Sequence, residues 1–149
     1  MMRKAKVQDI KQIQVLINNF ARQDLMLPRS LNELYENIRD FWVYVEKGRI
    51  LGCCALHISW DDLAEIKSLA VEKSWQKKGI AKQLVNCCLN EALGLGAKKI
   101  FVLTYIPNFF KKFGFRRIKH THLPHKIWAE CINCCKFPEC QEVAMVKPL

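Results

Sequence analysis

One short segment carries the clearest chemistry. Gln76-Lys77-Lys78-Gly79-Ile80-Ala81 lies where an apolar run ends and a helical pattern begins, and Lys82 follows it. The first backbone N–H groups of a helix have no partner inside it, and the helix dipole adds partial positive charge there. A glycine lets a phosphate approach the backbone closely. With three lysines around the same point, this is a cradle for a pyrophosphate by its chemistry. It is also what an ordinary solvated helix start looks like, and the loop alone does not separate the two. The G-x-x-x-x-G-K-[ST] phosphate loop and the dinucleotide fingerprint G-x-G-x-x-G are both absent. A second constellation lies in the tail, where Cys131, Cys134, Cys135 and Cys140 follow His120, His122 and His125. Four thiolates, or three with one histidine, would suit structural zinc. The usual second C-x-x-C knuckle is missing and the spacing is tight, so reduced cysteines near a substrate mouth are favoured and no metal is expected.

The cradle needs a strand to lead into it and a helix to follow. Residues 1–7 read as a first strand. Ile10, Ile13, Leu16, Ile17 and Phe20 have helical spacing, with Asp9 as the expected cap. Ser30 and Glu33 form a capping-box pattern that opens a second helix with Leu31, Leu34, Tyr35 and Ile38 on its apolar face. Phe41–Glu46 and residues 49–59 read as a hairpin about Lys47-Gly48, with Leu63–Val71 as the next strand. Residues 80–93 read as a helix stopped by Gly94 and Gly96, followed by a strand at Lys99–Thr104 and a short helix over 108–113. Closing strands are expected at 115–118 and 142–146. A crossover helix of this length normally joins parallel strands. The expected fold is therefore α/β (α+β): a mixed sheet, antiparallel early and parallel later, flanked by helices. All of 1–149 is expected to form one domain.

Composition narrows the function classes. The chain has 149 residues and is 50% hydrophobic and 26% charged, which suits one globular core. Its longest apolar runs are too short to span a bilayer and its start lacks a signal-peptide core, so a cytoplasmic location is expected. The net charge of +10 favours an anionic partner. Nucleic acid is one such partner, but the basic residues are scattered and no groove-reading motif accompanies them. The paired Cys53-Cys54 and Cys87-Cys88 read as reduced core thiols.

Leu69-Ala70-Val71 followed by the 76–81 loop resembles the signature of the GNAT acetyltransferases. Asn108-Phe109-Phe110-Lys111-Lys112-Phe113-Gly114-Phe115 resembles that family's short helix ending in a Gly-Phe turn. The element order matches as well, and the resemblance covers essentially the whole chain. It implies acetyl-CoA as co-substrate and splayed central strands. The pyrophosphate would rest on the amides of Gln76, Lys77, Lys78, Gly79, Ile80 and Ala81. The pantetheine arm would pair with Leu69, Ala70 and Val71, while Asn108 and Phe110 line its far side. Transfer to an amine needs a neutral nitrogen, so a base helps. Glu65, a mid-strand acid whose desolvation would raise its pKa, is the candidate. The alternative for Glu65 is a surface carboxylate paired with Lys67. Many family members protonate the leaving thiolate with a tyrosine on the short helix. Phenylalanine stands there here, which leaves nearby Tyr105 or solvent.

Further stretches resemble the acetyltransferase domain of N-acetylglutamate synthases: Leu27-Pro28-Arg29-Ser30, Gly52-Cys53-Cys54-Ala55-Leu56-His57 and Leu123-Pro124-His125-Lys126. The resemblance implies glutamate as acceptor, in arginine biosynthesis. Arg29 would grip a carboxylate, helped by Lys126 or Arg116, since a guanidinium can bind a carboxylate through two parallel hydrogen bonds. Such synthases often carry an amino-acid kinase domain, which these residues do not include. Other readings are an acetyltransferase of proteins or polyamines, a basic nucleic-acid-binding module with a zinc tail, and a non-catalytic acyl-CoA sensor. The expected partners are acetyl-CoA and a small amine, not nucleic acid or membrane, and a homodimer stays open.

Overall fold

A computed structural model of the chain describes residues 1–122 and 142–149. Among them, the strands are β1 (Met2–Lys4), β2 (Phe41–Glu46), β3 (Arg49–Ile58), β4 (Leu63–Val71), β5 (Lys99–Thr104), β6 (Arg116–Ile118) and β7 (Val143–Pro148). The helices are α1 (Ile10–Ala21), α2 (Leu31–Glu36), α3 (Ile80–Gly94) and α4 (Pro107–Lys111). The strands form one sheet in the order β1-β2-β3-β4-β5-β7-β6. The pairs from β1 to β4 are antiparallel, β4 and β5 are parallel, and β5, β7 and β6 are antiparallel again. The mixed α/β (α+β) sheet is as expected, but its parallel part is confined to one pair. The strand at the end of the chain inserts between β5 and β6. No helix among the described residues is long and apolar enough to cross a membrane.

Periodicity puts a core on each face. Ile10, Ile13 and Ile17 of α1 and Leu34 of α2 pack on Phe41, Val43, Cys53, Ala55 and Ala70. On the other face Ile80, Leu84, Val85, Cys88 and Ala92 of α3 pack on Cys54, Leu56, Ala64, Ile66 and Val71. Each fully buried aliphatic side chain contributes roughly 1.5–3 kcal/mol. Cys53, Cys54 and Cys88 are buried free thiols and Cys87 is half-buried, so these four act as small core residues. Burial pushes the Cys53 thiol up to about 12. Contact with Cys88, its Sγ 3.6 Å away, and burial raise Cys54 likewise.

The feature that matters most for function is a break in β4. Ala70 pairs with Cys53 and Lys67 with Ala55, so Ser68 and Leu69 together oppose Cys54. This is a β-bulge, and Ser68 sits in it at φ 57°. The Ser68 carbonyl accepts from Cys53 Sγ at 3.4 Å. The extra residue reverses the alternation: Ala70 joins the α1 core and Val71 the α3 core. Pairing of β4 with β5 stops at Ile66 and Val102. Beyond that point β5 continues only against β7, and the two central strands part.

Two local arrangements hold the surrounding elements. Asp9 precedes α1 but does not cap it with its side chain. A 3-10 turn, Val7–Asp9, comes first, and the Asp9 carboxylate instead accepts from Arg3 Nη1 at 2.7 Å and from the Lys6 amide at 2.7 Å. The Arg3 hydrogen bond holds this carboxyl below the usual range. Gly52 lies under the start of α3, where a Cβ would stand 3.1 Å from Ile80 Cγ2 and 3.2 Å from Leu84 Cδ1.

Gly52→Val is therefore expected to lower stability by about 1–3 kcal/mol through overpacking, read as a lower urea midpoint. Asp9→Asn is expected to cost roughly 1–3 kcal/mol at pH 7. Because the folded pKa is depressed, that contribution is present above the unfolded value of about 3.9 and is lost as pH falls through the lower folded value. Urea titrations of both proteins at pH 7 and at strongly acid pH should thus converge at the acid end.

Candidate functional site

Where β4 and β5 part, a cavity of about 1000 Å³ opens. Its floor is the β4 edge from Lys67 to Val71, which has lost β5 as a partner on that side. Such an edge offers hydrogen bonds to an extended, amide-containing ligand. One end of the cavity is the loop before α3. Lys77 at φ 64° and Gly79 at φ 84° are both left-handed, and Gly79 is the residue before the first turn of α3. Alternating backbone of this sort gathers amides into an anion-binding concavity. Gln76 Nε2 donates to the Val71 carbonyl at 3.0 Å and ties the loop to the end of β4.

The wall opposite belongs to α4. Pro107 opens this helix, and Ile106 N donates to the buried Thr104 hydroxyl at 2.9 Å just before it. Phe110 is 2% exposed and meets Phe109 and Phe115 edge-on, with ring centroids 5.1 and 5.4 Å apart. Such contacts fix a short helix that has too few residues to hold itself.

The remaining wall comes from α1 and the segment after it. Asn18 Oδ1 accepts from the Arg29 amide at 3.2 Å, and Gln14 Nε2 donates to the Arg29 carbonyl at 3.2 Å. Two side chains of α1 thus clamp the Arg29 backbone. Ser30 Oγ accepts from the Glu33 amide at 3.1 Å and starts α2 as expected. The Arg29 guanidinium lies 3.4 Å from the Glu33 carboxylate and lines the cavity. Glu65 and Tyr105, both half-buried, line it too.

Most of the residues singled out in the sequence are brought together here. Glu65, Leu69, Ala70, Val71, Gln76, Lys77, Gly79, Ile80, Ala81, Tyr105, Phe110 and Arg29 all face one cavity. Lys78 does not, and its ammonium sits 4.6 Å from the centroid of Trp75. Asn108 is exposed on α4 and is not part of the wall. Arg116 is displaced by the insertion of β7. The register runs Glu65, Phe101, Val146, Arg116 across neighbouring strands, which puts Arg116 about 14 Å from Glu65 at the usual strand spacing. Lys126, His125, Cys131, Cys134, Cys135 and Cys140 lie outside the described residues.

Several lining residues escaped the sequence reading. Phe20, Leu25, Met26 and Leu27 form an apolar wall beside Arg29, and Lys112 lines the cavity too, as does His120, which the sequence offered only as a metal ligand. The signal for the apolar wall was present: Leu25-Met26-Leu27 is an apolar run in a connection. Nothing local distinguishes Lys112 from any other exposed lysine.

Comparison with known proteins gives this geometry its class. Residues 7–115 match the acetyltransferase (GNAT) family. An uncharacterized N-acetyltransferase of Chlorobaculum tepidum is 40% identical over 99% of this chain and 95% of its own. An amino-acid acetyltransferase of Mycobacterium tuberculosis is 34% identical over 86% of this chain and 75% of its own. Among solved structures, N-acetylglutamate synthase from Neisseria gonorrhoeae, complexed with coenzyme A and N-acetyl-glutamate, superposes with a TM-score of 0.91 at 26% identity. It matches all of this chain and 35% of that one. The chain belongs to the GNAT acetyltransferase family.

Gly79→Ala tests the cradle. Its positive φ makes the substitution cost about 1 kcal/mol in backbone strain. A Cβ at Gly79 would meet nothing within 4 Å, so the effect comes through the backbone that aims the amides. CoA affinity, measured by calorimetry, is expected to fall about tenfold, equivalent to about 1.4 kcal/mol.

Proposed function

We propose that this acetyltransferase moves the acetyl group of acetyl-CoA to the amine of a small amino acid, with glutamate the favoured acceptor and arginine biosynthesis the setting. One observation carries the reading: Arg29, Glu65 and the cradle residues Gln76, Lys77, Gly79, Ile80 and Ala81 face a single cavity. A thioester whose pyrophosphate sits in the cradle would lay its amide-bearing arm along the β4 edge. Its reactive end would then approach Glu65, with Arg29 beyond it to hold a carboxylate. Glu65 takes a proton from the ammonium, and the neutral nitrogen attacks the thioester carbon. Amides of the β4 edge hold the oxyanion. The carbon–sulfur bond breaks, the nitrogen loses its second proton, and the thiolate gains one. Tyr105 is the candidate donor at that step.

The wall of Phe20, Leu25, Met26 and Leu27 favours a second reading, in which the acceptor carries one carboxylate and an apolar side chain. Screening the twenty amino acids for N-acetyl product by mass spectrometry separates the two. Glutamate turnover is expected, reduced at least tenfold by Arg29→Ala through a raised KM for the acceptor, and at least a hundredfold in kcat by Glu65→Gln. Turnover only with leucine-like acceptors would establish the second reading. No turnover with any amino acid would overturn both.

A further inference from the structure

The strand next to Glu65 carries a polar pair that the reaction described above does not use. His57 of β3 stands directly opposite Glu65 of β4. Opposed residues of antiparallel strands project from the same face, with Cβ atoms about 4.5–5.5 Å apart. Glu65 lines the cavity and His57 does not, so the imidazole stands one strand behind the carboxylate. Asp40, the last residue of the 3-10 turn Ile38–Asp40, places Oδ2 2.6 Å from His57 Nδ1. A carboxylate can only accept, so the proton of this bond belongs to Nδ1, and in the neutral ring Nε2 carries the lone pair. Among the described residues His57 has no other hydrogen-bond or ion-pair partner. The charged groups that the fold brings to it are Asp40 from the turn before β2 and Glu65 from the facing strand. Lys67 of β4, opposite Ala55, stands diagonally. The His57 side chain is 38% exposed while Asp40 is 23% exposed, so the ring also touches solvent.

We propose that His57, oriented by Asp40, is the proton exit behind Glu65. This rests on Glu65 being the base. The proton that Glu65 takes from the acceptor ammonium passes to Nε2 of His57. Asp40 stabilises the resulting imidazolium, as a carboxylate does for a histidine it also orients. The imidazolium then gives the proton to water, and Glu65 is an empty base again for the next turnover. Tyr105 gives its proton to the departing thiolate and is restored by the second proton from the nitrogen. An ammonium and a thioester thus become an amide, a thiol and one proton in solvent. His57 touches neither substrate nor cofactor in this scheme, so it acts as a positioning and relay residue.

The test uses the full chain and the amino acid that it acetylates best. His57→Gln keeps a hydrogen-bonding side chain but cannot carry the proton, and is expected to lower kcat about tenfold or more with KM for acetyl-CoA within about twofold. Its pH–kcat profile should differ in shape from that of the unsubstituted enzyme. Asp40→Asn should act in the same direction but less. Added imidazole should restore part of the turnover of His57→Ala and none of that of Glu65→Gln. Adding His57→Ala to Glu65→Gln should cause no further loss, because the two act in series. A fall in kcat that is uniform across pH and not rescued by imidazole would make His57 a packing residue and overturn the proposal. If Glu65→Gln disables the enzyme while His57→Gln does not, the base stands and the exit falls. Full activity of Glu65→Gln would remove both.

Discussion

Everything functional in this fold depends on one interruption of hydrogen bonding. A continuous sheet would pair β4 with β5 along its whole length and leave no room between them. The bulge at Ser68 prevents that by placing two residues against Cys54. Holding a serine at φ 57° is unfavourable by itself. The cores on both faces fix it: once Ala70 packs under α1 and Val71 under α3, only a reversed alternation satisfies both. The packing of two helices therefore holds open the gap in which the proposed chemistry takes place.

The helices then supply groups to that gap according to which end faces it. The start of α3 presents amides, and Gly52 beneath it lets the helix approach the sheet closely enough to set their height. Midway along α1, Gln14 and Asn18 reach across to fix the backbone of Arg29. A long arginine side chain gains selectivity when its backbone is clamped, because fewer of its rotamers can point elsewhere. In the proposed complex the anionic end of one ligand would meet the start of α3 and the carboxylate of the other would meet the segment that α1 clamps, with the bulged strand between them.

Much of this was legible in the residues. Helical spacing marked α1 and α3, and the bounds of β2, β4 and β5 fell where turn residues put them. What escaped shares a cause: it depends on partners distant in sequence. Ser68 is not a glycine, so nothing marked its left-handed backbone. Asp9 has every attribute of a helix cap, yet Arg3 and the Lys6 amide claim its carboxylate. Arg116 was offered, with Lys126, only by the resemblance to the synthases. Its actual position follows from which strand β7 chooses to join, and edge pairing leaves no local signature.

That insertion of β7 also has a consequence in time. Residues 143–148 cover the flank of β5 that faces away from β4, and β6 reaches the sheet only through β7. During synthesis β5 emerges long before its second neighbour. Until then it remains an exposed edge, paired to β4 through Leu63–Ile66 alone. The far flank of β5 is covered by a strand made well after it, in a pairing that closes a loop of some forty residues. The segments of the cradle and the α1 clamp are thus made before β7, whereas the sheet beyond β5 has to wait for it.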